Sequence, residues 1–547
     1  ISFTINFERR LTYMPKNNVS KFGKYFNLPN QGLRTYFGNV VKGNSKVYTT
    51  PFAKGESTEH MLQSWMKVLR SIDDKWPSLY EFEVDLAKKV GPMSVMLPLR
   101  DRMDDIEHYY EDILLPQKPI DQRAVKAVIS EFSSIRGLEV RNQRTTVDLM
   151  KKSTNSGSPY FTKRRNVVQE TVPCSAYPLG DSVMQKLHYE SYDACAVLGW
   201  RGQEGGPNVD NVKQRVVWMF PFAVNIRELQ VYQPLIEAAQ KFGIVAPWIS
   251  NDEVDKRITM LFDSKRSDDL IICTDFTKFD QHFNSSLQDA ARSILSGILS
   301  PSAQSTEWLE DVFPIKYMIP LAYDYGKIRT GRHGMGSGSG GTNADETLAH
   351  RALQYEAAQR AGVRLNPNSL CLGDDGILSY PGCTVKDVVQ AYSGHGLEMN
   401  TSKQYASTQD CVFLRRWHHK DYRVDGICAG VYSTCRALGR LRYLERYQDP
   451  EYWDSKMVAL RQLSILENVK YHPLREPFVE FCMKRDKYRL GIDIPGFLDN
   501  LPEIAKEAID HMPDFMGYTK TLQSEGSEDS SFGIADWWIV KYLKSMR

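Results

Sequence analysis

Eight residues, Gly334 to Gly341, hold five glycines and two serines, and this cluster limits the fold more than any other stretch of the chain. It can be a flexible linker, a cofactor loop or part of a catalytic site, and its neighbours decide among these. A well-signalled helix follows, with Thr342 or Asn343 as N-cap, Leu348, Ala352 and Tyr355 on one face, and Gly362 beyond the end. That argues against a linker. Gly336 to Gly341 satisfies G-x-G-x-x-G, but the preceding "KIRTGRHGM" is polar and cationic and supplies no apolar strand, so a dinucleotide fold is rejected. "GNVVKGNS" (38–45) is similar to a phosphate loop, yet Asn44 stands where the lysine is required. The glycines read as a site element whose backbone N–H groups approach a phosphate or sugar.

Acid-ended apolar runs flank this element. "DDLIICTDF" (268–276) suits a buried strand ending at Asp275. A helix follows, with Ser285 and Gln288 as a capping box and Leu287, Ala291, Ile294 and Ile298 at helical spacing. "SLCLGDDGILSY" (369–380) is two apolar runs around Gly-Asp-Asp-Gly, a hairpin pattern that predicts Asp374 and Asp375 at an exposed tip. If strand and hairpin share a sheet, Asp275 and Asp374 can hold divalent cations. Mg²⁺ prefers hard oxygen ligands and commonly takes one or two carboxylates together with substrate phosphates. Two ions ~3.5–4 Å apart clamp the attacking and leaving oxygens of a phosphoryl displacement.

Composition excludes other classes. With 547 residues, 42% hydrophobic and 25% charged, the chain has the balance of a soluble globular protein of several lobes. The net charge of +2 hides basic stretches with interleaved aromatics, "FTKRRN" (161–166) and "CRALGRLRYLERY" (435–447), which suit either a nucleic-acid channel or solvated helix faces. Nine cysteines without a CxxC pair indicate neither a zinc knuckle nor a disulfide framework and point to a reducing, intracellular setting. No run reaches the roughly 18 apolar residues of a membrane span, and the first thirty residues lack a signal-peptide core. Met14 is the first methionine, and residues 1–13 read as a precursor remnant. Residues 57–89 and 119–152 read as helical, 207–221 as a loop entering a strand, and the chain after Ser433 as a mostly helical lobe. The His418-His419 pair has no ligand spaced to complete a metal site and reads as surface.

In order, "TDFTKFD", "SGSGGTNADE" and "LGDD" resemble motifs A, B and C of the viral RNA-dependent RNA polymerases. The flanks carry companions: "STNSGSPY" (153–160) resembles motif G, "VKQRVV" (212–217) motif F, "GLEMNTSK" (396–403) motif D and "FLRR" (413–416) motif E. Within that family the glycine motif and the length look most like polymerases of picobirnaviruses, whose genomes are double-stranded RNA, with partitivirus enzymes as the nearest alternative. The resemblance implies an α+β right-hand fold with fingers, a palm of antiparallel sheet flanked by helices, and a mainly helical thumb. It divides the chain into an N-terminal extension bridging fingers and thumb (1–67), fingers (68–262), palm with motif A (263–299), a fingers insertion (300–335), palm with motifs B to E (336–430) and thumb (431–547).

The same resemblance implies template-directed RNA synthesis from ribonucleoside triphosphates, with two Mg²⁺ or Mn²⁺ ions held by Asp275 and Asp374 and assisted by Asp375. It gives Lys403 as the acid for the pyrophosphate, and Lys213 and Arg215, alternate residues of one extended face, as triphosphate ligands. Ser337, Gly338 and Thr342 align with the nucleotide-binding motif B. The usual Asn of that motif is replaced by Glu346, so Asp280 and Thr342 are expected at the ribose, with Asn343 and Glu346 as alternatives; these two also read as a capping box. Ser156, Gly157, Pro159 and Tyr160 would line the template entrance, and Arg415 and Arg416 would face the nascent strand. Implied partners are template and nascent RNA, ribonucleotides and a viral capsid protein, with no membrane, in the virion interior and host cytoplasm. The rival readings are a reverse transcriptase and a non-catalytic RNA-binding or capsid-associated protein on the same fold.

Overall fold

A computed structural model describes residues 22–509, 511 and 533–547; residues 1–13 lie outside the described residues. The chain forms two compact units, each discontinuous in sequence. One comprises the stretches up to Gly43, Leu97–Trp200 and Val216–Cys411; the other comprises Asn44–Met96, Arg201–Arg215 and Val412–Arg547. Among the described residues no helix is long and apolar enough to cross a membrane.

The first unit is built on a four-stranded antiparallel sheet of β1 (Ile271–Thr274), β2 (Leu370–Leu372), β3 (Asp375–Leu378) and β4 (Tyr405–Ser407), in the order β4-β1-β3-β2. Ile271, Ile272, Ile377 and Leu378 are fully buried, so neither face of the two central strands is open to solvent at these positions, and the helix Thr342–Arg360 packs on Leu370–Leu372. Three helices matter below: α1 (Phe222–Lys241), α2 (Ser285–Ile298) and α3 (Thr342–Arg360). Leu287, Ala291, Ile294 and Ile298 of α2 recur at helical spacing and are all buried. The helix Gln122–Glu131 packs with both α2 and α3.

Three local expectations shift by a residue. Asn284, not Ser285, caps α2: its Oδ1 accepts the N–H groups of Ser286 and Leu287 at 3.0 and 3.4 Å, while the Gln288 amide turns back to the Phe283 carbonyl. Asn284 has the extended backbone that a cap needs. The hairpin closes at Gly373–Asp374, because Gly373 takes φ +57°, and Asp375 already lies in the ladder opposite Leu372. Helix α3 begins at Thr342 after Gly341 and has no side-chain cap. The Thr342 hydroxyl donates instead to the Gly336 and Ser339 carbonyls, folding the glycine turn onto itself.

The second unit is mainly helical, with Thr58–Leu69, Pro77–Ala87, Thr434–Arg442, Ser455–Glu467, Arg475–Met483, Leu501–Ala508 and Trp538–Ser545. Its core joins Trp65, Leu69 and Leu79 to Leu438, Leu460, Phe478, Leu501 and Val540. His418, read as surface, is fully buried here on the strand Arg416–His419, where its Nδ1–H donates to the Cys428 carbonyl. That partner offsets part of the cost of burying a polar ring.

Candidate active site

The ladder between β1 and β3 pairs Thr274 with Gly376. One residue further along, Asp275 comes opposite Asp375, and directly opposed residues of antiparallel strands project to one face. Asp275 and Asp374 are exposed, and Asp375 is half-buried. The distant acids therefore meet at one end of the sheet.

Each acid-bearing turn is held by side chains that the sequence reading missed. The Asp275 N–H donates to Gln404 Oε1 at 2.7 Å, and Gln404 Nε2 returns a bond to the Asp275 carbonyl at 2.9 Å, so the residue after Lys403 fixes the main chain of Asp275. In the hairpin, Thr347 Oγ1 accepts the Gly373 N–H at 2.9 Å and His350 Nδ1–H donates to its carbonyl at 2.9 Å. Thr347 and His350 are three apart on α3 and share a face. Burial lowers the His350 pKa to about 4, which keeps the ring neutral with one N–H to give. Lys403 itself is exposed in a short turn, Thr401–Lys403.

Glu346 is 4% exposed. Burial, and then the Asp280 carboxylate to which it hydrogen-bonds, push its carboxyl well above the usual range; Asp374 adds to this from the hairpin. The hydrogen bond to Asp280 and the charge of Asp374 thus join the segments resembling motifs A, B and C electrostatically at Glu346. Asn343 faces elsewhere: its Oδ1 accepts Trp248 Nε1–H at 2.8 Å and the Thr347 hydroxyl at 3.4 Å, so no capping box with Glu346 forms.

The glycine turn is packed between backbones. A Cβ on Gly334 would overlap the Asp280 carbonyl oxygen, and one on Gly338 the Trp218 carbonyl oxygen. Ser337 Oγ donates to the Val216 carbonyl at 3.4 Å. Beneath the turn lies a fully buried ion pair, Lys316 Nζ to Asp345 Oδ2 at 3.0 Å, and Asp345 also accepts the Tyr232 and Tyr317 hydroxyls at 2.6 Å each. Lys316 sits 3.8 Å from the centre of the Phe313 ring, and its carbonyl accepts the Gly336 N–H. Its signal in the sequence is a lone lysine inside the apolar run "PIKYMIP".

The Ser153–Tyr160 stretch lies in the same unit. Ser156, Gly157 and Pro159 are buried, and Tyr160 is half-exposed with its hydroxyl 3.4 Å from Glu190. In the second unit, Lys213 and Arg215 are exposed on one edge of the strand Lys213–Met219. Arg215 Nε donates to Gln203 Oε1 at 2.8 Å. Burial and then the neighbouring Lys89, Arg215 and Arg415 charges lower the Lys213 pKa. Arg415 is exposed in the tight turn Leu414–Arg415, where both residues have positive φ. Beside it, Glu204 meets Arg436 at 2.5 Å and Arg440 at 3.3 Å. Arg416 is buried, with its guanidinium 3.4 Å from the Gly430 carbonyl, so it braces a loop and presents no charge to solvent.

Residues 67–428 match the family model of viral RNA-dependent RNA polymerase. The chain belongs to the viral RNA-dependent RNA polymerases. It is 60% identical over 528 residues to a "Potential RNA-dependent RNA polymerase" of a human picobirnavirus, covering 96% of this chain and 99% of that relative. The crystal structure of the RNA-dependent RNA polymerase of a human picobirnavirus superposes with a TM-score of 0.92 at 59% identity, covering 97% of this chain and all of that one. The crystal structure of an insertion-loop deletion mutant of a human picobirnavirus polymerase superposes with a TM-score of 0.91 at 57% identity and the same coverage. As an RNA-dependent RNA polymerase with the α+β fold of these enzymes, the chain carries its acids at the sheet end described above.

The donor set suits a divalent cation. Asp275, Asp374 and Asp375 offer hard oxygens, two of them facing solvent. Among the described residues no three His, Cys, Asp or Glu side chains are grouped closely enough to hold a metal ion by themselves; Mg²⁺ commonly takes one or two carboxylates together with water and substrate phosphates.

Proposed function

We propose that this polymerase replicates and transcribes a double-stranded RNA genome by two-metal nucleotidyl transfer from ribonucleoside triphosphates. The ladder that pairs Thr274 with Gly376, so that Asp275 leaves its strand at the end of the sheet where Asp374 and Asp375 stand, carries the reading. Asp275 and Asp374 hold Mg²⁺ or Mn²⁺, assisted by Asp375, and the bound cations supply charge neutralisation at the reacting phosphates. Lys213 and Arg215 donate to the triphosphate of the incoming nucleotide. Lys403, an exposed ammonium, gives a proton to the departing pyrophosphate.

Asp280 and Glu346 read the ribose: their carboxyl oxygens offer acceptors for the 2′-hydroxyl, and the bond that Trp248 donates to Asn343 favours Glu346 over Asn343 in that role. Ser337, Gly338 and Thr342 shape the surface under the nucleotide. Tyr160 and the backbone of the 156–160 stretch guide the template, and Arg415 meets the nascent strand. The reading keeps fingers (68–262), palm (263–299 and 336–430) and thumb (431–547) as its proposed division, and has the enzyme work with capsid protein inside the particle and in the host cytoplasm.

The test is incubation of the purified protein with a defined single-stranded RNA, Mg²⁺ and either four rNTPs or four dNTPs. Full-length double-stranded RNA from rNTPs alone is the expected product. Equal incorporation of dNTPs would favour reverse transcription, and RNA binding without product would favour a non-catalytic role; either result overturns the proposal.

A further inference from the structure

Helix α1 has no part in the chemistry assigned so far, yet it grips the glycine turn directly. Asn225 and Glu228, three residues apart on one face, are 5% and 0% exposed. Glu228 Oε1 accepts the Gly340 N–H at 3.1 Å and the Asn225 amide at 3.0 Å, and Oε2 accepts the Ser339 hydroxyl. The Asn225 amide also reaches the Gly338 carbonyl at 3.3 Å. One buried carboxylate and one amide therefore contact three consecutive residues of the turn.

The contacts continue away from the turn. Asn225 Oδ1 accepts from the Arg164 guanidinium at 2.6 Å, and the Arg164 N–H donates to the Thr154 carbonyl at 3.0 Å, inside the Ser153–Tyr160 stretch. The Phe222 N–H at the start of α1 donates to the Ser156 carbonyl at 2.9 Å. A buried carboxylate is costly unless every lone pair that matters is used. Glu228 uses both oxygens on donors that belong to the turn or to the residue holding it. A glutamine there would have one acceptor oxygen and would aim an NH₂ at a donor.

We infer that Asn225 and Glu228 are positioning residues that set the conformation of the glycine turn, and that Arg164 ties this conformation to the template-entry stretch. The inference rests on the polymerase reading above. A nucleotide seated on Ser337 and Gly338 feels the register of the RNA ahead of it through Arg164, Asn225 and Glu228, without any of the three touching substrate.

The test measures rNTP incorporation on a primed RNA template for wild type, Glu228→Gln, Ser339→Ala and their combination, with thermal melting alongside. Glu228→Gln should lower kcat about tenfold with KM for rNTP within about twofold, the pattern of a group that acts on the reacting geometry and not on uniform binding. Ser339→Ala should lower kcat about threefold, and the double variant should be no slower than Glu228→Gln, because both changes release one grip. Losses that multiply, an unchanged kcat for Glu228→Gln, or a loss that follows a fall in melting temperature would each overturn the assignment. Arg164→Lys should lower kcat a few-fold, by roughly 1 kcal/mol or less, with RNA affinity by fluorescence anisotropy unchanged. Weakened RNA affinity at unchanged kcat would make Arg164 a template contact and break the link. Failure of the wild type itself to incorporate rNTPs would sink the underlying reading instead, so the two failures are distinct.

Discussion

The acid-bearing strand ends and the glycine turn are neighbours in one unit, but opposite means hold them. Asp275 and Asp374 face solvent, and main-chain ladders place them, with Gln404, Thr347 and His350 bonding to backbone atoms beside them. The turn instead hangs on groups sealed from water, the Lys316–Asp345 ion pair below it and the Glu228 carboxyl beside it, whose pKa burial raises. The difference follows from what each must do. Groups proposed to hold a cation need open lone pairs, and removing one costs the fold little. A turn that must keep one shape is best tied to groups that have no alternative partner, and removing one of those leaves an uncompensated buried charge.

The largest effect should therefore come without damage to the fold. Asp374→Asn is expected to lower nucleotide incorporation by on the order of 10³-fold or more, while RNA binding by filter retention and the melting temperature stay near wild type. A comparable fall in melting temperature would erase the contrast between the two regions.

Lys316→Met reverses the pattern. It strands Asp345 among two tyrosines and should cost about 3–5 kcal/mol of stability, measured by denaturant unfolding. A double change with Asp345→Leu should recover part of that loss, and a cost no greater than that of an exposed lysine would show that buried charge does not support the turn. Gly338→Ala tests the packing between the two. The added methyl meets the Trp218 carbonyl, and overpacking of this kind costs about 1–3 kcal/mol, so incorporation should fall well before the protein unfolds.

A smaller effect separates buried groups that titrate from those that do not. His395 donates to Glu356 Oε1 and to the Lys118 carbonyl, each at 2.6 Å. Burial alone would lower its pKa, but the Glu356 bond and charge and the Lys118 carbonyl outweigh it, and the net direction is upward. A raised histidine pKa contributes stability that is full below the ordinary value near 6.5 and is lost as pH rises through the folded value. Stability measured across pH 6 to 8 should decline accordingly, and His395→Gln should remove that part of the slope.

Local chemistry made the strand before Asp275, the Gly-Asp-Asp hairpin and the helix after the glycines legible, because hydrophobic period and turn residues act over a few positions. The boundaries slipped where a competing residue lay next door. Asn284 caps in place of Ser285, and Gly373 takes the left-handed turn position that the Asp-Gly pattern gives to the following pair. His418 and Arg416 were illegible as buried groups, since their partners at Cys428 and Gly430 come from a later loop. The supports of the turn were hidden for the same reason: Glu228 and Ser339 are 111 residues apart. Lys316 was visible only as an anomaly in an apolar run.

Helix α3 carries Glu346 against Asp280 and, within the next turn, the two side chains that clasp Gly373. One rod thus steers both the partner of Asp280 and the loop that bears Asp374. A displacement of that rod along its axis would therefore carry both with it.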